Sequence, residues 1–318
     1  MSAPGTEIRF HDGIRAQHSL AKLTAAVPEA ALTFIRVLLA GCPDPDGALD
    51  LLERFLERQP TAFRRIVADR SGLQYLITIF SYSRFLSEEV LQQPEWLEAL
   101  VGSGDMFRML TAEEMTERLE KALQPGVLSP LDLALFRRRK LLRIVLRDVL
   151  GLATISELTE ELSNVADTLL QVTYQRIRED LIRRYGTPRF RDDSGQLVEC
   201  GFSVIALGKL GGRGLNYSSD IDLMFVHAGN GETDGPEPVS NSEFFKKVAV
   251  QLTELLGTYT AEGRCYRIDL RLRPDGRTGE IRKLAEEARY AGVVKAHEEI
   301  LRRDFEAKFI PGRHYDRN

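Results

Sequence analysis

Cysteine is scarce and scattered in this sequence: Cys42, Cys200 and Cys265 are three singles in 318 residues, without a C-x-x-C pair. That excludes a disulfide framework and a zinc ligand set, and the three thiols read as small buried hydrophobes in a reducing compartment. An excess of one charge is lacking too. Lys and Arg number 43 against 47 Asp and Glu, a formal charge of −4, so no global positive field is available to hold a nucleic acid. No apolar run approaches the roughly 20 residues needed to cross a bilayer. The opening MSAPGTEIRFHDGIRAQHS has no basic start followed by an apolar stretch, so no secretory leader is expected and the reading is a soluble, cytoplasmic protein with no membrane partner. Neither G-x-x-x-x-G-K-[ST] nor G-x-G-x-x-G occurs, which removes the P-loop and the dinucleotide fingerprint. Internal repeats and low-complexity tracts are also missing.

What is present is ordinary globular composition, 43% hydrophobic and 28% charged, with length for about two domains. From about Glu29 to Tyr185 the pattern has helical period. Leu49, Leu52, Phe55 and Leu56 share one face and Glu53, Arg54, Glu57 and Arg58 the other, after a turn at Pro43 to Gly47. Further helices are predicted at Leu73 to Phe80, Ser87 to Gln92, Ala112 to Leu123, Leu131 to Leu150 and about Ile155 to Arg184. Thr111-Ala112-Glu113-Glu114 forms a capping box for the third of these, and Gly186 and Pro188 stop the last.

The character changes after Pro188. Arg191 to Gly195 reads as a turn, Phe202 to Leu207 and Ile221 to Val226 as strands joined by a Gly-rich loop, Glu243 to Leu256 as a helix, and Cys265 to Arg273 as a third strand. The expected fold class is α+β: a helical domain at 1–187, a mixed-sheet core at 188–285, and a helical tail at 286–318.

The segment from Gly208 to Phe225 carries the chemistry. Residues i and i+2 of a strand share a face, so Asp220 and Asp222 point one way while Ile221, Leu223 and Phe225 point the other. Adjacent carboxylates repel, and a shared proton or a bound cation relieves them; the hard oxygens suit Mg²⁺ or Mn²⁺. In Tyr266 to Arg273 the even positions are apolar and the odd ones are Arg267, Asp269, Arg271 and Arg273. If this strand lies beside the Asp220 strand, three carboxylates converge near guanidinium groups fit for phosphate, a set suited to in-line displacement at phosphorus. Closely spaced glycines, Gly208, Gly211 and Gly212 among them, let backbone N–H groups approach phosphate, and Ser218 and Ser219 add hydroxyl donors.

Bland readings stand beside these. The Asp pair also reads as a strand-edge device against aggregation and the Arg-Asp-Arg-Arg face as an exposed ion-pair ladder, but a Gly-rich loop leading into the pair favours a site. His227 reads as a satisfied or exposed histidine rather than a ligand. Arg137-Arg138-Arg139-Lys140 reads as a solvated helix face rather than an anion site.

The runs Ala206 to Arg213, Leu215 to Leu223 and Tyr266 to Pro274 together resemble the bifunctional glutamine synthetase adenylyltransferase/adenylyl-removing enzymes, whose cores belong to the DNA polymerase β-like nucleotidyltransferase superfamily. The resemblance covers roughly residues 29 to 280. Asn216-Tyr217-Ser218-Ser219 before Asp-Ile-Asp, Asn241-Ser242-Glu243-Phe244-Phe245, Ser83 to Ser87 and Leu141 to Ile144 resemble the amino-terminal, adenylyl-removing copy. The resemblance implies that Asp220, Asp222 and Asp269 are the metal-binding and catalytic carboxylates, and that Gly208, Gly211, Gly212, Ser218, Ser219, Arg271 and Arg273 surround nucleotide and phosphate. It implies phosphorolysis of a tyrosine-linked AMP on glutamine synthetase to give ADP, the partner reaction being adenylylation from ATP, and a PII-type signalling protein as a further partner of a full-length homologue. Gly214 stands where the family usually has Glu and Glu280 where it commonly has Pro, and residues 281–318 depart from the family pattern. The chain is therefore expected to be a fragment or a shortened homologue. A degenerate nucleotide-binding module that docks glutamine synthetase is the alternative. An unrelated nucleotidyltransferase of antibiotics or nucleic acid is disfavoured by the acidic balance and the loop.

Overall fold

The computed structural model describes residues 8–123 and 128–270, with the backbone of 282–283 and 308–310. Two compact units divide the chain: Met1–Met109 with Arg138–Ile155, and Leu110–Arg137 with Ser156–Asn318.

The first unit is helical. It contains α1 (Gly13–Ala26), α2 (Glu29–Gly41), α3 (Pro45–Arg58), α4 (Pro60–Ala68), α5 (Arg70–Tyr82), α6 (Arg84–Gln92) and the short α7 (Glu95–Glu98), followed by a 3₁₀ turn at Asp105–Phe107. Side-chain caps start several of them: Asp12, Asp44, Asp69 and Ser83 accept from N–H groups three residues on, satisfying donors that a helix start leaves open. Helix α1 was not anticipated, since the predicted helical period begins at Glu29. Its apolar stripe is thin, with Ala16, Ser19 and Leu23 its buried residues. Phe55 meets Phe63 and Phe80 edge to face, with centroids 5.7 and 6.4 Å apart, in a core of Leu, Ile and Phe.

Helix α9 (Pro130–Val149) starts in the second unit and continues in the first. Here the expectation of a solvated basic face is corrected. Of Arg137 to Lys140 only Arg139 is exposed; Lys140 is buried and Arg137 and Arg138 are half-buried. Arg138 pairs with Glu89 and lies over the Phe85 ring. Deeper in the first unit Arg143 donates to the carbonyls of Asp105 and Arg108, and Arg147 Nε to that of Met106. Carbonyls of the irregular 105–108 segment need donors, and the long basic side chains deliver them into the core.

The second unit is built on α8 (Ala112–Ala122), α10 (Ile155–Tyr185), α12 (Asn241–Gly257) and two small sheets. The predicted capping box of Thr111 and Glu114 is formed at α8. Gly186, at φ +85°, ends α10 as expected. Strands β1 (Pro188–Arg191) and β2 (Leu197–Glu199) flank the predicted turn as a hairpin, and β5 (Gly231–Thr233) pairs antiparallel with β1.

The larger sheet is mixed. Its order is β6 (Ile268–Asp269), β4 (Ile221–His227), β3 (Phe202–Leu207) and β8 (Lys308–Ile310), with β7 (Arg282–Lys283) also pairing β4. Strand β3 runs antiparallel to β4 and β8, and β6 and β7 run parallel to β4. This is an α+β architecture. Phe202 ties the unit together, stacked on Tyr174 of α10, Phe225 of β4 and Phe245 of α12 at 5.5, 5.9 and 4.9 Å. Among the described residues no helix is long and apolar enough to cross a membrane.

Candidate functional site

Strand β4 alternates as its sequence requires: Ile221, Leu223 and Phe225 are buried, and Asp222 and Met224 are half-buried. The parallel register sets Ile221 opposite Ile268 and Asp222 opposite Asp269. Partners in register present their side chains to the same face. Asp222 and Asp269 are thus neighbours across the ladder, a placement of like charges that costs stability unless something compensates it. Asp220 precedes the strand, and its carboxylate pairs with Arg267, whose carbonyl accepts from Ile221 N–H at 3.0 Å.

Leu207, the last residue of β3, pairs with Asp222, and the chain then turns into the one-turn helix α11 (Gly208–Gly211). Gly208 has φ +58°, and a Cβ there would stand 2.6 Å from Asp222 Oδ2. Glycine is needed twice over: for the left-handed backbone and for room beside the carboxylate. The N–H groups of Gly212, Arg213 and Gly214 close onto the carbonyls of Gly208, Leu210 and Lys209. Gly211 is buried in the turn.

Ser218 and Ser219 lie in a turn held by Asn216. Asn216 Oδ1 accepts from Ser218 N–H at 3.3 Å and from the Ser219 hydroxyl at 2.5 Å, and Asn216 N–H donates to Ser219 Oγ. The Ser219 hydroxyl thus donates within its own turn, to Asn216. Arg271 and Arg273 lie outside the described residues, as does the predicted strand beyond Leu270.

Two arginines that sequence reasoning did not place at the site hold its loops. Arg137 Nη2 donates to the carbonyl of Tyr217 at 2.9 Å, and its guanidinium lies 4.6 Å from the centroid of the Tyr266 ring, just before β6. Its Nε is buried without a hydrogen-bond partner. Cys265 Sγ reaches the carbonyl of Leu133, one turn earlier on α9. Burial pushes the Tyr266 phenol and the Cys265 thiol each up to about 12, so both are neutral at ordinary pH. Arg213 is held by Glu160, Asn164 and Asp167 of α10. Burial alone would lower its pKa, and the carboxylates of Glu160 and Asp167 reverse this and raise it. The signal for Arg137 was the start of a basic run on a helix, which on its own reads equally well as solvated.

His227 is buried, its Nδ1 3.1 Å from the Gly229 carbonyl and its ring stacked on Phe245, the satisfied histidine that was expected. Cys200 is buried like Cys265, and Cys42 is partly exposed.

Asp222 and Asp269 in register, with Asp220 just ahead of the same strand, are hard oxygen donors of the kind Mg²⁺ or Mn²⁺ takes. The set is not drawn together as in a filled site: among the described residues no group of three or more His, Cys, Asp or Glu stands close enough to hold a metal ion.

The profile of the glutamate-ammonia ligase adenylyltransferase family matches residues 73–288. A bifunctional glutamine synthetase adenylyltransferase/adenylyl-removing enzyme of Thioalkalivibrio sulfidiphilus is 36% identical over 209 residues, 65% of this chain and 21% of the relative. The one of Pseudomonas putida is 28% identical over 289 residues, 87% of this chain and 29% of the relative, and that of Aromatoleum aromaticum is 36% identical over 201 residues, 63% of this chain and 21% of the relative. The chain thus spans between about a fifth and under a third of these relatives. With a family match over most of its length, and with the Asp-x-Asp strand paired in register to the strand of Asp269, the chain belongs to the glutamate-ammonia ligase adenylyltransferase family.

Proposed function

We propose that residues 188–285 are a metal-dependent nucleotidyltransferase core, with a polymerase β-like fold, that acts on glutamine synthetase in the cytoplasm, and that this copy removes AMP from an adenylylated tyrosine by phosphorolysis. An oxygen of inorganic phosphate attacks the phosphorus of tyrosine-linked AMP, the P–O bond to tyrosine breaks, ADP forms, and the tyrosine oxygen leaves with a proton. The observation that carries the reading is Asp222 opposite Asp269 in a parallel register, with Asp220 at the mouth of the same strand. Asp220, Asp222 and Asp269 would hold Mg²⁺. Bound there, the ion would neutralise charge on the attacking and leaving oxygens. The residues of the chain would do the positioning: Gly208 leaves space for the Asp222 carboxylate, the Gly208–Gly212 turn with Ser218 and Ser219 would hold the phosphates, and Arg271 and Arg273 would neutralise the developing charge. In a longer homologue a PII-type signalling protein would be a further partner.

The test is mass spectrometry of tyrosine-adenylylated glutamine synthetase before and after treatment with the chain and Mg²⁺, with and without phosphate. Phosphate-dependent loss of AMP with formation of ADP is expected, and Asp222→Asn should slow it by about a thousandfold or more, the scale of removing charge stabilisation from a displacement at phosphorus. Wild-type rate in Asp222→Asn would overturn the assignment. A second reading is a catalytically degenerate module that docks glutamine synthetase and binds nucleotide without turnover. It is favoured by the Arg267 side chain on Asp220 and by the Ser219 hydroxyl being engaged by Asn216 of its own turn. Calorimetric binding of ATP or ADP with no loss of AMP would select it.

A further inference from the structure

Within Gly211-Gly212-Arg213-Gly214, the residue in the left-handed region is the arginine, at φ +57°; the neighbouring glycines are not among the residues of positive φ. An L-residue there costs about 1 kcal/mol or more, and glycine would carry no such cost. Such an outlier persists only where its surroundings over-determine it, and here they do. Arg213 Nε donates to Glu160 Oε2 at 2.9 Å and Nη1 to Asp167 Oδ2 at 2.5 Å, while Nη2 reaches Glu160 Oε1, the Glu160 carbonyl and Asn164 Oδ1. All three guanidinium nitrogens are thus engaged by α10, and the side chain is largely buried. Asn164 is itself anchored, its Nδ2 donating to the Leu110 carbonyl at 3.1 Å. A guanidinium committed in this way is not aimed at a phosphate. It fixes the backbone it hangs from.

That backbone is the turn beside Asp222. Arg213 N–H closes onto Leu210, and Gly212 N–H onto Gly208, whose missing Cβ makes room for Asp222 Oδ2. We propose that Arg213 is a positioning residue: clamped by Glu160, Asn164 and Asp167, it holds the Gly208–Gly214 turn rigidly over the Asp222 carboxylate, so that the phosphate-facing loop is set before nucleotide arrives. The clamp is read from the geometry alone; its consequence for nucleotide rests on the functional reading above.

Hydrogen–deuterium exchange of the whole chain tests the clamp directly. In Arg213→Ala, amides of 209–216 should exchange about tenfold faster or more, the scale of losing charge-assisted hydrogen bonds to part-buried partners. Amides in the middle of α10 should keep their wild-type rates. Arg213→Lys, which keeps the charge but not the fork, should restore part of the protection. Arg213→Gly separates strain from clamping: it relieves the backbone yet should exchange as fast in the turn as Arg213→Ala. Asp167→Asn, a milder change, should loosen the same amides severalfold and serves if Arg213→Ala does not fold. Unchanged exchange of 209–216 in Arg213→Ala, or in Asp167→Asn where the former is unfolded, overturns the proposal. So does loosening that spreads evenly over the second unit. Calorimetry with Mg²⁺ and ADP then separates the two readings: a wild-type chain that binds no nucleotide defeats the functional reading while the exchange result still judges the clamp. If the wild type binds, affinity should fall about tenfold in Arg213→Ala and be partly recovered in Arg213→Lys.

Discussion

In helices α1 to α7 of the first unit, charged and polar side chains cross-link elements at a near-constant separation. Arg15 to Asp50, Ser19 to Glu53, Lys22 to Glu53 and Glu57, Arg54 to Glu88, Gln59 to the Leu91 carbonyl and Arg65 to Glu98 are all 31 to 35 residues apart. In the second unit the corresponding contacts reach 46 residues from Arg213 to Asp167, 47 from Arg267 to Asp220, 53 from Arg213 to Glu160 and 80 from Arg137 to Tyr217. The first pattern is what stacked helices and short turns produce of themselves, since the chain returns to the level of an earlier helix after two or three short ones, α1 to α3, α3 to α6 and α4 to α7. The second has no period. The bonds of Arg137, Arg213 and Arg267 fall on the two loops that lead into Asp222 and on the segment before the strand of Asp269, while others, such as Glu161 to Leu110 N–H and Arg189 to Asp234, brace the unit elsewhere. The difference separates charges that lace a scaffold from charges that hold a site.

The strongest way to break this comparison is to empty each core. Phe55→Ala and Phe202→Ala each remove a buried ring that packs against aromatic neighbours, and each should cost about 3–5 kcal/mol. Trp96, the single tryptophan, belongs to the first unit, so its fluorescence reports that unit alone. Phe55→Ala should lower the urea midpoint seen by Trp96 fluorescence. Phe202→Ala should leave that midpoint in place and lower the one seen by hydrogen exchange in β3 and β4. A shared shift of both midpoints in either variant would show that the units unfold as one and would remove the basis for contrasting them.

A smaller effect separates glycines of like backbone. Gly104 of the first unit and Gly208 of the second have φ +71° and +58°, but a Cβ on Gly104 would meet nothing within 4 Å, whereas one on Gly208 would meet Asp222 Oδ2 at 2.6 Å. Gly104→Ala should cost about 1 kcal/mol, backbone strain alone. Gly208→Ala adds overlap with the carboxylate and should cost about 2–3 kcal/mol, with loss of Mg²⁺-dependent ADP affinity measured by calorimetry. Equal costs, with affinity intact, would mean that the space beside Asp222 has no functional weight.

How much of this was legible in the sequence follows the same division. Helices with a broad apolar stripe and a side-chain cap, such as α3 behind Asp44 and α8 behind Thr111, announce themselves, because both signals are local. Helix α1 has the cap, Asp12 accepting from Arg15 N–H, but too thin a stripe to be read. Strands β1, β2 and β5 are three or four residues long, and their turn was readable where they were not. The Asp222–Asp269 pairing was reachable from strand alternation and from the chemical oddity of carboxylates among arginines. The roles of Arg137 and Arg213 were not, since nothing local distinguishes an arginine that faces solvent from one whose acceptors lie 46 to 80 residues away.

The finest test compares conservative changes to two arginines, one for each pattern. Arg65 places Nε and Nη2 on Glu98 Oε1 but is largely exposed. Exposed pairs contribute little because water screens them and two long side chains must be ordered, so Arg65→Lys should shift stability by less than about 0.5 kcal/mol. Arg137→Lys keeps the charge and loses the guanidinium over the Tyr266 ring and the bond to the Tyr217 carbonyl, which should cost about 1 kcal/mol. The signature should also be local. Near-ultraviolet dichroism from the packed Tyr266 ring should change, and amides of 216–219 should exchange faster, while Trp96 fluorescence and the first unit's midpoint stay as in the wild type. If Arg137→Lys proves as silent as Arg65→Lys, long separation in sequence does not mark the charges that hold the site. A pronounced effect in Arg65→Lys would break the comparison from the other side, by showing that the periodic cross-links of the helical unit also carry weight.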